Sequence, residues 1–186
     1  MEEQIAITGN SEAEIQQNLT AYLQQQQEAF EHRLIILQPQ GKRVLLEIDI
    51  DPGGGFESGY ATTRFSAQVT VKDDFAFTIH PEGFLADFAK LFGLQDEVVG
   101  YPEFDEKVII KTNNKEKVKA VFADANTRQL LSTLDAFNLR LHGQDDVDTE
   151  HLLILEIEEG LTEPAPLMNL YKAFSNILMQ VETTLV

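Results

Sequence analysis

Alternation of apolar and acidic side chains in residues 44–51 is the feature that most constrains the fold. The apolar positions are Val44, Leu46, Ile48 and Ile50, and the acidic ones between them are Glu47, Asp49 and Asp51. A period of two is the spacing of side chains on a β-strand. The stretch therefore predicts a strand with one face in the core and the other in water, which is typical of an antiparallel sheet.

Turn signals next to apolar runs predict further strands. Gln38-Pro39-Gln40-Gly41 predicts a hairpin between residues 34–37 and the strand at 44–50. Lys72-Asp73-Asp74 predicts a second hairpin, from the alternating run that ends at Val71 into Phe75 and Ile79. Residues 137–142 and 152–157 predict a third pair of strands, joined by an acidic loop over 143–150.

Helical patterns lie at both ends of the chain. Ser11 and Glu14 have the spacing of a capping box, which predicts a helix from there to Phe30 that includes the run Gln24 to Gln27. At the other end, a continuous apolar stripe with helical spacing predicts a long helix packed on the core. The stripe consists of Leu167, Leu170, Tyr171, Phe174, Ile177, Leu178 and Val181.

Two more helices are predicted in the middle of the chain. Pro81 opens a short helix with several Phe and Leu residues, which Gly93 closes. Asn113 or Asn114 caps the next helix, and residues 124–126 break it into two. The pattern as a whole predicts one α+β domain over 1–186, with a mostly antiparallel sheet of about six to seven strands and helices packed on it.

Charge and composition exclude several classes of protein. The formal net charge of −17 repels the phosphates of nucleic acids and anionic membrane surfaces. The absence of cysteine excludes disulfides and thiol chemistry. The acidic N-terminus resembles no signal peptide, and no apolar run reaches the length of about 20 residues of a membrane span. We therefore expect a cytoplasmic protein that is not inserted in a membrane, either monomeric or homodimeric.

The stretch from Gly100 to Thr112 joins the two halves of the predicted fold, and its β-branched run predicts a central strand. Pro102 favours an extended entry, Phe104 suits the core, and the Asp105 carboxylate is placed to accept backbone amides at the turn or to pair with Lys107. These structural roles explain the stretch without any catalytic function.

The same stretch is similar to uncharacterised bacterial domain families, which share the pattern G-D-x-E-F-D-[KR]-[KR]-F-x-V and are often anchored in membranes. The matching residues are Gly100, Glu103, Phe104, Asp105 and Lys107, whereas Tyr101, Glu106 and Val108 depart from the pattern. The resemblance extends loosely from about Thr62 to Val181. It implies a domain of unknown function, here without the membrane anchor, and it transfers no catalytic residue.

Two clusters have side chains suited to metal ions. Three hard oxygen ligands on the acidic face of residues 44–51 suit Ca²⁺ or Mg²⁺. Alternate side chains on a strand are about 6.5 Å apart, too far for one cation to bridge all three, so the pattern favours a solvated face. His142 and His151 flank the acidic loop that contains Asp146 and Asp148, which predicts a transition-metal site. A solvated turn explains the same residues. The two other histidines, His32 and His80, are assigned structural roles, and no cofactor is predicted.

No catalytic motif is present, so the sequence favours a non-enzymatic module that binds a protein partner. The loop from Asp51 to about Ala61 is the predicted interaction surface, because Phe56 and Tyr60 lie beside three glycines. Both rings could instead cover the core. Two other functions stay open: an acidic inhibitor or immunity-type protein against a basic partner, and a metal-dependent hydrolase that uses His142 and His151.

Overall fold

The fold is described from a computed structural model that covers residues 5–26, 30–38, 41–54, 58–70, 73–83, 94–144 and 147–184, with backbone only at 144 and 147–150. The strands are β1 (Ile5–Thr8), β2 (Glu31–Leu37), β3 (Arg43–Asp51), β4 (Tyr60–Thr70), β5 (Phe77–Pro81), β6 (Gln95–Glu97), β7 (Val108–Thr112), β8 (Phe137–Gln144) and β9 (Val147–Ile157). The helices are α1 (Glu12–Gln25), α2 (Pro102–Asp105), α3 (Lys115–Val121), α4 (Ala125–Leu131) and α5 (Pro164–Thr184).

The predicted α+β class is confirmed, and the predicted number of strands is too low. Within the described residues, the sheet has nine strands in the order β1-β2-β3-β4-β9-β8-β5-β7-β6. The chain divides into two compact units, each made of two segments: Met1–Ala67 with Glu156–Tyr171, and Gln68–Leu155 with Lys172–Val186. We call them unit 1 and unit 2.

Unit 1 begins with a β-α-β arrangement that the sequence patterns did not predict. Strand β1 pairs in parallel with β2, and α1 connects them. Parallel neighbours need a long crossover, which a helix commonly supplies. The four residues of β1 are too few to show a clear period, which explains why this strand was missed.

The start of α1 follows the capping box in part. The Ser11 hydroxyl accepts a hydrogen bond from the Glu14 amide at 3.3 Å, as predicted. The Glu14 carboxylate, however, accepts from the Asn10 amide at 2.7 Å, one residue before the position that the motif prescribes. Both bonds satisfy amides near the first turn, where a helix has no internal acceptors.

The predicted end of α1 is wrong. The helix stops at Gln25, and Phe30 lies outside it with its side chain exposed. His32, just beyond the predicted helix end, lies in β2, where it is buried and its Nδ1 is 3.3 Å from the Tyr22 hydroxyl. The pairing of β2 with β3 begins at Glu31, so the chain leaves the helix before Phe30.

The hairpin of β2 and β3 is confirmed. The two strands pair antiparallel, with Leu37 opposite Arg43, and Gly41 closes the turn at a φ of 80°. Strand β4 adds antiparallel to β3. The core face carries Val44, Leu46 and Phe65, all fully buried, and the Phe65 ring lies 6.4 Å from that of Tyr171 in α5.

The predicted hairpin between β4 and β5 is wrong. Strand β5 pairs antiparallel with β7 and with β8, both of which lie far from it along the chain. All five of its residues are buried, including His80 and Pro81. Pro81 therefore ends a strand and does not open a helix. The helix predicted after it falls on residues 84–93, outside the described part of the chain.

Unit 2 has an aromatic core. The Phe77 ring lies 5.7 Å from Phe75 and 5.8 Å from Phe122, which stacks on Phe104 at 5.5 Å. Strand β7 supports this cluster from a position second from the edge, next to β6, so the expectation of a central strand is wrong. Helix α2 contacts β7.

The last three elements match the sequence patterns except at the loop. Strands β8 and β9 extend to Gln144 and from Val147, so most of the residues assigned to the acidic loop belong to strands. Helix α5 has its whole predicted apolar stripe buried.

The predicted asparagine cap of α3 is confirmed, because Asn114 Oδ1 accepts a hydrogen bond from the Lys117 amide at 3.1 Å. Asp124 caps α4.

Candidate interaction surface

Strand register in unit 1 brings three carboxylates and one tyrosine together at one end of the exposed sheet face. Asp49 lies opposite Glu31, and Asp51 lies opposite Tyr60. Side chains of paired residues point to the same face of a sheet. Glu31, Asp49, Asp51 and Tyr60 therefore form one surface, which we call the Tyr60 surface.

Tyr60 is held in a fixed position although its side chain is exposed. Its hydroxyl donates a hydrogen bond to Asp49 Oδ2 at 2.9 Å, while 54% of the residue is accessible to solvent. The hydrogen bond to Asp49 raises the pKa of the Tyr60 phenol, and the nearby charges of Asp49, Asp51 and Glu31 raise it further. The phenol therefore stays protonated and acts as a hydrogen-bond donor among negatively charged carboxylates.

The neighbouring charges on the same face largely pair with one another. Glu47 lies 3.4 Å from Arg33 and 3.9 Å from Arg64. Arg64 in turn binds Glu156 through Nε at 2.7 Å and Nη2 at 2.5 Å. The described residues supply no such basic partner to Asp49 or Asp51. The negative potential is therefore concentrated at the Tyr60 surface.

The loop before Tyr60 is anchored tightly at its two ends. Asp51 Oδ1 accepts a hydrogen bond from the Gly53 amide at 2.8 Å, and Gly53 has a φ of 70°, which favours glycine. At Gly59, a Cβ atom would lie 2.4 Å from the Asp51 carbonyl oxygen. Tyr60 itself belongs to β4 and not to the loop. Phe56, the other predicted contact, lies outside the described residues.

The predicted metal site is only partly described. His142 and His151 lie on β8 and β9, but Asp146 and the side chain of Asp148 are outside the described part. Among the described residues, no group of three or more His, Asp or Glu side chains is arranged to hold a metal ion. The metal site stays a prediction.

His151 is nonetheless an unusual side chain. It is only 5% exposed, and its Nδ1 is buried without a hydrogen-bond partner among the described residues. Burial lowers the pKa of the His151 imidazole, and the Asp73 charge opposes this effect. A Cβ atom at position 143 would lie 3.7 Å from its Nε2, an ordinary van der Waals distance, so Gly143 lies next to the ring.

The motif stretch of unit 2 forms a structural clasp. The Asp105 carboxylate accepts hydrogen bonds from the amides of Val99, Gly100 and Tyr101 at 2.8 to 3.0 Å. This is one of the two arrangements that the sequence allowed for Asp105. Phe104 is fully buried. These contacts fix the turn that leads from β6 into α2.

Arg128 contacts the same turn through Glu103 and Tyr101, a role that the sequence patterns did not predict. Its guanidinium binds Glu103 Oε1 at 3.2 Å and the carbonyl oxygens of Phe122 and Ala123 at 2.7 and 2.8 Å. It also stacks over the Tyr101 ring at 3.8 Å. This role depends on the burial of Arg128 on the inner side of α4. The sequence pattern of a seven-residue helix is too short to show which of its residues are buried.

Comparison with protein-family models, with curated proteins and with solved structures finds no match to this chain. The resemblance of the Gly100–Lys107 motif to bacterial domain families therefore stays a prediction. Within the described residues, no helix has both the length and the apolar character needed to cross a membrane.

Proposed function

We propose that this protein is a non-enzymatic module that binds a protein partner through the Tyr60 surface. The observation that carries the proposal is the half-exposed Tyr60 ring, oriented by the Asp49 carboxylate on an ordered strand. A rigid aromatic side chain offers a large contact area at low entropic cost, and tyrosine is enriched among the residues that dominate binding energy.

The charge around Tyr60 favours one kind of partner. Asp49 and Asp51 lie beside the ring on a chain whose formal net charge is −17. Complementary charge accelerates association and selects against like-charged partners. This supports the second candidate function, an acidic inhibitor or immunity-type protein that covers a basic partner.

The test compares capture of partners by immobilised variants, with bound proteins identified by mass spectrometry. We expect Tyr60→Ala to weaken capture of a specific partner by about tenfold or more, as for an aromatic anchor. Val98→Ala is the matched control, because Val98 is an exposed apolar residue of unit 2. Equal capture by wild type and Tyr60→Ala would contradict the proposal.

Salt separates the two candidate functions. If the partner is basic, its association rate falls as ionic strength rises, because exposed charges are screened. The double variant Asp49→Asn/Asp51→Asn should show the same slow association already at low salt. An affinity that hardly changes with salt would exclude the inhibitor or immunity-type function and leave the general binding module.

A further inference from the structure

Unit 1 contains a cleft on the side of the sheet opposite the Tyr60 surface. Its volume is about 310 Å³, which is within the range of small-ligand sites. The end of α1, strand β2 and the start of α5 form its walls. His32 lies in this lining and is 4% exposed, with its Nδ1 3.3 Å from the Tyr22 hydroxyl. The cleft thus has a polar group that the fold holds in place.

The polar groups of the cleft favour a cation. The lining includes Glu163, which has a carboxylate, and Gln24 and Gln26, whose amide groups can either accept or donate hydrogen bonds. None of the described residues that line the cleft is lysine or arginine. The overall negative charge of the chain acts in the same direction.

The two helix ends at the cleft also favour a cation. Gln26 caps the C-terminal end of α1, where a helix has partial negative charge, and the last turn of α1 has no basic residue. The N-terminal end of α5 would attract anions, but two of its first three residues are Pro164 and Pro166, which have no N–H to donate. Glu163 already supplies a negative charge there.

Apolar groups complete the lining. Leu23 and Pro164 form part of the walls. The Ile50 amide donates to the Phe30 carbonyl at 2.8 Å, so the pairing of the two strands continues by one residue and places Phe30 on the same sheet face as His32. Phe30 is 57% exposed and lies outside the lining of the cleft.

We propose that this cleft binds an alkylammonium or alkylguanidinium group, with the charged head at Glu163 and the alkyl stem against Leu23 and Pro164. Such a group occurs in free amines and in lysine and arginine side chains of polypeptides. The proposal concerns a different face from the Tyr60 surface and does not depend on it.

The test is an NMR titration of the full chain with n-butylammonium, with butanoate as the anionic control of the same stem. We expect saturable shifts of the Gln24, Gln26 and Thr162 signals with butylammonium only. Shifts that do not saturate, or an equal response to butanoate, would overturn the proposal. N-acetyl-lysine methylamide distinguishes the sources: tighter binding than butylammonium identifies a polypeptide side chain, and weaker binding identifies a free amine.

Variants locate the charge that binds. Glu163→Gln should weaken butylammonium binding by about tenfold, because a charge-assisted contact is lost. Glu158→Gln removes the same charge from an exposed position outside the lining, and we expect a change of less than about twofold. An equal loss in both variants would show a general effect of charge and overturn the site. Should Glu163→Gln fold poorly, Pro164→Ala provides the second variant, because Pro164 lines the cleft and contacts the alkyl stem in the proposed complex. We expect weaker butylammonium binding by Pro164→Ala, and unchanged affinity would contradict the proposal.

Discussion

At the scale of single residues, Asp105 and Arg128 show how charged groups organise a turn without taking part in chemistry. Asp105 satisfies three backbone amides, and Arg128 satisfies two backbone carbonyls and one carboxylate. Hydrogen bonds to charged groups contribute about 1.5–3 kcal/mol each, more than neutral ones. The motif around Gly100 is thereby explained as a structural device.

His151 leads to a prediction about pH. Its imidazole has a lowered pKa because it is buried; the charges of Asp73 and Asp74 favour the proton, and the charge of His142 disfavours it. A histidine in the unfolded chain takes up a proton near pH 6.5, whereas His151 in the folded protein takes it up only at lower pH. We therefore expect the free energy of unfolding to be at its full value above about pH 6.5 and to fall as the pH is lowered, since the unfolded state binds more protons.

Urea denaturation of the wild type and of His151→Gln, followed from about pH 7 to about pH 5, checks this expectation. The variant should lose stability less steeply as the pH falls. Some slope should remain, because burial also lowers the pKa of His80. The same slope in wild type and His151→Gln would contradict the assignment.

At the scale of elements, α5 has the most continuous buried stripe among the helices in the described residues, and Phe174 is fully buried within it. Phe174→Ala should lower the free energy of unfolding by about 3–5 kcal/mol, because the lost ring leaves a cavity. Met179→Ala, at an exposed position of the same helix, should change it by less than about 0.5 kcal/mol. An unchanged melting midpoint for Phe174→Ala would mean that α5 contributes little to the core.

Local patterns predicted the elements that depend on local interactions. The start of α1, the hairpin of β2 and β3, the caps of α3 and the stripe of α5 follow from spacing within about 20 residues of chain. The neighbours of β5 do not, because β7 and β8 pair with it from far along the chain. Periodicity shows that a segment is a strand but not which strand lies beside it.

The candidate site was predictable to a similar extent. Tyr60 could be named as an aromatic residue next to a glycine-rich loop. Its hydrogen bond to Asp49 could not, because it depends on the register between β3 and β4. The cleft beside His32 could not be predicted either. Its shape depends on α1 ending at Gln25, before the predicted end at Phe30, and on His32 lying in β2.

At the scale of the whole molecule, we predict a single cooperative unfolding transition. Three of the four tyrosines, Tyr22, Tyr60 and Tyr171, belong to unit 1, and the chain has no tryptophan. Tyrosine fluorescence therefore reports mainly on unit 1, whereas far-UV circular dichroism reports on both units. The two signals should change at the same urea concentration if unfolding is two-state. Separate midpoints would show that the units unfold independently.

Each unit is built from two segments that are distant in the chain, and this has a consequence for synthesis on the ribosome. Unit 1 needs Glu156–Tyr171, and unit 2 needs Lys172–Val186. Translation proceeds from the N-terminus at about 5–20 residues per second, and domains usually fold as their segments emerge. Here neither unit has its full set of segments until Tyr171 or later has left the exit tunnel. We therefore expect the nascent chain to expose apolar strands until these segments emerge, and to bind chaperones that act during translation.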